Sequence, residues 1–164
     1  MTDQYPENQG GCREHAVPSE EWLCRQIVRE AGDAIIVADR ENIIRLWNAG
    51  SERIFSYTAA EALGRSLNLI IPERWRERHE ESYRRVMATG ITRYGQGELL
   101  AVPGLHRDGS SLSLEFSLAL IKDARGRIAG AAAILRDVTA RWRETRELEE
   151  RLAELERPSA MAAE

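Results

Sequence analysis

The sequence predicts an α+β fold in which a five-stranded antiparallel sheet carries helices segregated to one face. Three observations lead there. Two β-branched runs flank a turn near residue 40, a long amphipathic helix follows from about residue 72, and three more strand-like runs end near residue 136. Hairpin, helices and meander in that order leave five strands to pair and a helical segment to cover them.

Each element has a local cause. "PSEEWLCRQIVREAG" predicts a flanking helix within residues 18–32, with Ser19 as N-cap, Glu20 and Glu21 at the positive end of the dipole and Gly32 as the stop. Trp22, Leu23, Ile27 and Ala31 give it an apolar side, and so short a helix needs a surface, its own domain or a second copy. Ala34 to Ala38 and Ile43 to Asn48 flank the turn-forming "DREN" as a hairpin. In "YTAAEALGRS", Thr58 and Glu61 have capping-box spacing and Gly64 supplies a left-handed stop.

"IPERWRERHEESYRRVMATG" predicts the longest internal helix. Pro72 sits where a first-turn proline is tolerated, Glu80/Arg84 and Glu81/Arg85 form i,i+4 pairs on the wet face, and Gly90 ends it. Trp75, His79, Tyr83, Val86 and Met87 recur at helical intervals and share the face turned to the core. Arg93 to Val102, Ser111 to Ile121 and Arg127 to Arg136, separated by "HRDGS" and "KDARGR", read as an antiparallel meander. From Val138 the period becomes seven: Val138, Thr145 and Leu152, with Leu148 and Leu155 between them, predict an amphipathic helix over 140–157. It either docks on its own domain or forms a coiled-coil dimer seam. Residues 1–17 and 158–164 are expected to be disordered tails around a core at 33–139.

The totals narrow the function. A length of 164 residues suits one domain with appendages. Lys and Arg number 23 against 27 Asp and Glu, a formal charge of −4, with no basic cluster free of acids, which argues against nucleic acid as a partner. No apolar run is long enough to span a bilayer and the first residues lack a signal-peptide pattern, so the expectation is a cytoplasmic protein without a membrane partner. Cys12 and Cys24 are expected to be buried or reduced thiols. Cys12 and His15 are two ligands where zinc needs four, and His106 is expected to be exposed in its turn. No phosphate loop, Ser/His/Asp set or carboxylate pair points to an enzyme.

"IIRLWNAGSERIFSYTAAEALGRSLNLIIPE" resembles the first half of a PAS domain: an asparagine ending the second strand, a small-residue helix, an aromatic-Gly-Tyr step, "EALG", then a "P-E" helix start. "HRDGS" is similar to the family's Asp-Gly turn, and "ILRDVT" to its closing Asp-Val-Thr signature; Ser56 departs from the usual glycine before Tyr57. The resemblance covers about residues 33–139 and implies a sensory fold with a pocket between sheet and helices. Many such domains bind nothing and mediate pairing, so function has to be argued from the site.

"IPERWRERHEESYRRV" further resembles the helix of FixL-type oxygen-sensing PAS domains that carries the proximal haem ligand, which implies haem b on His79, with Tyr83 and Trp75 on the same face. Phe116 and Leu118 match the bulky distal residues. The distal strand arginine is not matched: Glu98 stands near its place, and Arg93 is the inward-reaching alternative. FAD between Trp47 and Trp75 and a cofactor-free core with a hydrogen-bonded His79 are the alternatives; a cysteinyl-flavin adduct is excluded, since "NLIIPERWRERH" has no cysteine. A small carboxylate or aromatic effector is a further one. The expected function is a gas or redox sensor or adaptor in signal transduction. Its pocket state would pass through Asp137, Val138 and Thr139 into the C-terminal helix, toward a homodimer or a signalling protein in trans. The alternative is a cofactor-free dimerisation module.

Overall fold

A computed structural model describes residues 18–92 and 99–156, with 155 and 156 by backbone alone. Both expected tails, Cys12, His15, Arg93, Glu98 and the Leu155 side chain lie outside the described residues. In chain order the elements are helix α1 (Glu20–Glu30), strands β1 (Ala34–Asp39) and β2 (Ile44–Trp47), helices α2 (Ala49–Phe55) and α3 (Ala59–Ala62), a 3-10 turn (Leu67–Ile70), helix α4 (Glu73–Thr89), strands β3 (Leu100–Leu105), β4 (Ser111–Lys122) and β5 (Ile128–Asp137), and helix α5 (Thr139–Glu156). The sheet is antiparallel throughout, in the order β2-β1-β5-β4-β3.

First and last strands therefore meet at its centre. Ala34 stands opposite Leu135 and Asp39 opposite Gly130, so Ala34, Ile36 and Ala38 share a face with Ala131, Ala133 and Leu135. Phe116 and Leu118 of β4 continue that face. Against it pack α2, α3 and the 3-10 turn, burying Ile44, Trp47, Phe55, Ile70 and Leu114. A second, smaller cluster joins Val86 and Met87 of α4 to Ala131, with Leu118, Leu120 and Ile128 at its margin.

The entry to the sheet is organised by Asn48, the N-cap of α2, which is 5% exposed. Its Oδ1 accepts from the Ile35 N–H at 2.9 Å and the Ser51 N–H at 2.9 Å, and from the Ser51 hydroxyl at 2.8 Å. Its Nδ2 donates to the carbonyls of Asp33 at 3.0 Å and Ala31 at 3.4 Å. Next to it only glycine fits: a Cβ on Gly50 would lie 2.1 Å from the Asp33 carbonyl oxygen.

Between α2 and α3, Ser56 adopts the left-handed conformation expected of the family's glycine, at φ 60°. The "HRDG" turn holds it there: His106 Nε2 lies 2.8 Å from the Ser56 hydroxyl, and the Arg107 guanidinium donates to the Ser56 carbonyl at 3.2 Å and pairs with Glu61 at 2.8 Å. His106 is thus partly enclosed and engaged, which corrects the expectation of a merely exposed turn residue. The Thr58/Glu61 capping box forms as expected.

Other local expectations change. Helix α1 ends at Ala31, whose N–H reaches the Ile27 carbonyl before the backbone turns extended, so Gly32 needs no left-handed conformation. Cys24 is a free thiol, in line with the expectation of a buried or reduced one, but it is exposed. Neither Glu80/Arg84 nor Glu81/Arg85 forms an ion pair among the described residues; the Glu80 carboxylate instead accepts from the Asn68 amide, tying α4 to the 3-10 turn. The third strand-like run reaches Leu105, past its expected end at Val102.

The flanking helices find no surface of their own. Nothing in α1 is buried, and Trp22 and Ile27 are half-exposed or more. Helix α5 is rooted by the Val138 N–H on the Ser113 carbonyl and by an Arg141–Glu115 pair, yet Trp142, Leu148 and Leu152 face solvent, so it does not dock along its own domain. No helix of the described residues is long and apolar enough to cross a membrane.

Helix α4 is tied to the sheet by Tyr83, whose hydroxyl donates between the carbonyls of Ala38 at 3.0 Å and Asp39 at 2.7 Å. Two stability outcomes follow, both read by denaturant unfolding. Asn48→Ala should cost about 3 kcal/mol or more, because it leaves buried backbone groups of Ile35, Ser51 and Asp33 without partners. Tyr83→Phe should cost only about 1 kcal/mol, one net hydrogen bond with packing retained.

Candidate functional site

Between the inner face of the sheet and α4 lies a cavity of about 540 Å³, within the range of small-molecule and cofactor sites. Its origin is the run "GAAAIL" in β5. Ala131 and Ala133, with Ala38 opposite Ala131 in β1, put small side chains at the sheet centre and leave room beneath α4. One end of α4 closes onto the sheet through Val86 and Met87. Toward its other end Tyr83, His79 and Trp75 line the cavity wall, and Leu67, Ile70 and Ile71 close the side.

All five site residues expected from the sequence meet here. His79, Tyr83 and Trp75 come from α4 at intervals of four, and Phe116 and Leu118 face them from β4. Trp75 is 37% exposed and stands at the mouth, not in the core. Trp47, the other tryptophan considered for a flavin, turns away: its indole N–H donates to the Tyr57 carbonyl at 3.0 Å and its ring packs on Phe55. Ala131, Ala133, Leu114 and Leu135 also line the cavity, beyond the residues the sequence points to; the alanine run of β5 is the one signal it offers for them.

His79 differs from a satisfied core histidine. Its Nδ1 is enclosed yet has no hydrogen-bond partner among the described residues. Burial lowers its pKa, with the Glu80 carboxylate opposing, so the ring is neutral at neutral pH and keeps a lone pair. Its ring centroid lies 5.8 Å from that of Tyr83. Burial, and after it the Asp39 carboxylate, pushes the Tyr83 phenol up to about 12, so it stays a hydrogen-bond donor. A neutral imidazole lining an apolar chamber of cofactor size has the donor chemistry to hold a haem iron. Cysteinyl chemistry has no such support: Cys24, the one cysteine among the described residues, lies on α1 and lines no part of the cavity.

Asp137, Val138 and Thr139, expected from the sequence to relay a signal, sit apart at the junction of β5 and α5. The Asp137 carboxylate accepts from the Thr139 N–H at 2.8 Å, and the Thr139 hydroxyl oxygen accepts from the Ser113 N–H at 2.9 Å. Their link to the cavity is Leu135, two residues upstream in the same strand and part of its wall.

Comparison with known proteins accords with this architecture. A family model described as PAS fold matches residues 28–143. The sensor protein FixL of Bradyrhizobium diazoefficiens is 30% identical over 151 residues, covering 92% of this chain and 29% of FixL. An uncharacterized protein of Azorhizobium caulinodans is 34% identical over 118 residues, 71% of this chain and 16% of the other. The chain thus spans less than a third of the length of these relatives. Among solved structures, the PAS domain of a Colwellia psychrerythraea protein superposes with a TM-score of 0.64 at 23% identity, covering 74% of this chain and 99% of that one. An RNA-binding light-oxygen-voltage receptor gives 0.64 at 22% identity over 93% of this chain and 41% of its own. At these identities the two structures speak for the fold alone. Fold, motif order and family match lead to one conclusion: the chain belongs to the PAS domain family.

Proposed function

We propose that this PAS domain is a sensory module that holds haem b in the cavity between sheet and α4, with His79 the residue that would hold its iron. The observation that carries this reading is a neutral, half-buried imidazole on the wall of an apolar cavity, with an enclosed Nδ1 that no described residue engages. The likeness of α4 to the FixL-type helix and the identity to the sensor protein FixL support it. Bound haem would supply an iron centre able to take a diatomic gas.

The chain's own residues do the rest. His79 keeps its lone pair because burial disfavours the imidazolium. The Tyr83 hydroxyl, held on two strand carbonyls, fixes the rotation of α4 and so the direction of His79 one turn away. Phe116, Leu118 and Ile36 exclude water from the chamber, and Ala133 leaves it open. A shift of the wall at Leu135 passes along β5 into Asp137, Val138 and Thr139, and from there into α5. Exposed Trp142, Leu148 and Leu152 on α5, with Trp22, Leu23 and Ile27 on α1, offer the surfaces for a homodimer or a signalling protein in trans. Two helix arrangements within a few kcal/mol of each other suffice for ligand binding to redistribute them.

A second reading has its own observation: the same exposed apolar residues on both flanking helices suit a cofactor-free pairing module.

Absorbance separates them. Purified protein supplied with hemin should develop a shifted Soret band that is lost in His79→Ala and weakened at least tenfold in affinity by Ala133→Phe, which fills the chamber. A protein that rejects hemin sinks the haem reading and leaves pairing. Stability of the apo protein should also report His79. The unfolded chain takes up the imidazole proton near pH 6.5 and the folded chain only at lower pH, so the stabilisation is complete above 6.5 and lost as pH falls below it. In His79→Phe that part of the slope should vanish from a series of urea melts. Truncation after Thr139 should change the oligomeric state seen by light scattering; an unchanged state removes α5 from the output.

A further inference from the structure

The mouth of the cavity carries a feature that an apolar chamber does not require. Arg74 and Arg78 stand one turn apart on α4 with Trp75 between them, their guanidinium carbons 5.6 and 5.7 Å from the centroid of its ring. Arg78 and Trp75 line the cavity, and Arg74 stands just outside its lining, on the ring of Trp75. Like charges at i,i+4 repel, and neither guanidinium forms an ion pair among the described residues although Glu73 and Glu77 lie in the same turns. The indole face holds both by cation–π attraction, which fixes position without neutralising charge. The start of α4 adds to the positive potential: Pro72 at the N-cap offers no side-chain hydrogen bond to the first-turn N–H groups.

We propose that Arg74 and Arg78 form an anion-binding rim, so that the ligand of this cavity is a planar apolar body whose carboxylates stay at the mouth. The assignment rests on the reading of the cavity as a ligand site and narrows the ligand class. Arginine suits the role because its planar fork meets a carboxylate through two parallel hydrogen bonds while its face stays on the tryptophan. A neutral apolar effector would leave two guanidiniums idle. Haem b, with its two carboxylates, satisfies both halves of the site.

The test uses probes that differ in anionic charge: protoporphyrin IX against its dimethyl ester, and riboflavin phosphate against riboflavin, each titrated by fluorescence into the full chain. The free-acid porphyrin should bind at least about tenfold more tightly than the ester, a preference that falls with added salt. In Arg74→Gln/Arg78→Gln the two porphyrins should bind within about twofold of each other. Both arginines are exposed, so the double variant should fold, which its thermal melt checks. Equal binding of acid and ester to the wild type, or a preference unchanged in the variant, overturns the rim. A charge preference confined to the flavin pair overturns the carboxylate assignment in favour of a phosphate. The porphyrin probes contain no iron and need no axial ligand. Loss of the His79-dependent hemin band with the porphyrin preference intact would therefore reject haem ligation and leave the rim standing.

Discussion

One buried amide, that of Asn48, holds together the parts on which everything else rests. Its oxygen and nitrogen between them reach the chain entering the sheet, the first residues of β1 and the first turn of α2. No apolar side chain could satisfy those backbone groups, and water has no access to a residue 5% exposed. The amide thereby fixes β1, and β1 in turn presents the Ala38 and Asp39 carbonyls that receive the Tyr83 hydroxyl. The placement of α4, and with it of His79, descends from that chain of hydrogen bonds.

The cavity is the complement of this rigidity. Close packing is the ordinary state of a protein interior, and a chamber of about 540 Å³ persists only where the surrounding elements are held apart by other contacts. Here the Tyr83 tie and the Val86–Met87–Ala131 cluster hold one end of α4, while the Asn68–Glu80 bond holds its flank to the 3-10 turn. Small residues in β5 then leave the space unfilled. Polar groups enter the chamber at His79 and gather at its rim around Arg78, so the interior and the mouth ask different things of a ligand.

Much of the site was legible because a helix repeats. Trp75, His79 and Tyr83 fall at intervals of four, and any straight helix sets them on one face; alternation did the same for Phe116 and Leu118 in β4. Less legible were features that depend on what a face meets. The Glu80 carboxylate has Arg84 in reach by spacing and accepts from the Asn68 amide instead, a partner that only the tertiary fold brings to it. Trp47 has the composition of a flavin neighbour and the geometry of a core residue. Ser56 replaces a glycine and keeps its conformation, since His106 and Arg107, some fifty residues away, hold the hydroxyl and carbonyl.

By itself the sequence determined the order of elements, the N-caps of α1 and α3, the two hydrophobic periods and the family resemblance, all of which are set by residues near one another in the chain. Only the tertiary structure decided that β1 pairs with β5, that a cavity remains between them and α4, and that His79 lines it. It also decided that the large apolar residues of α1 and α5 stay largely uncovered. The reason is physical: periodicity fixes which residues share a face, whereas burial, volume and hydrogen-bond satisfaction depend on what another segment brings opposite it.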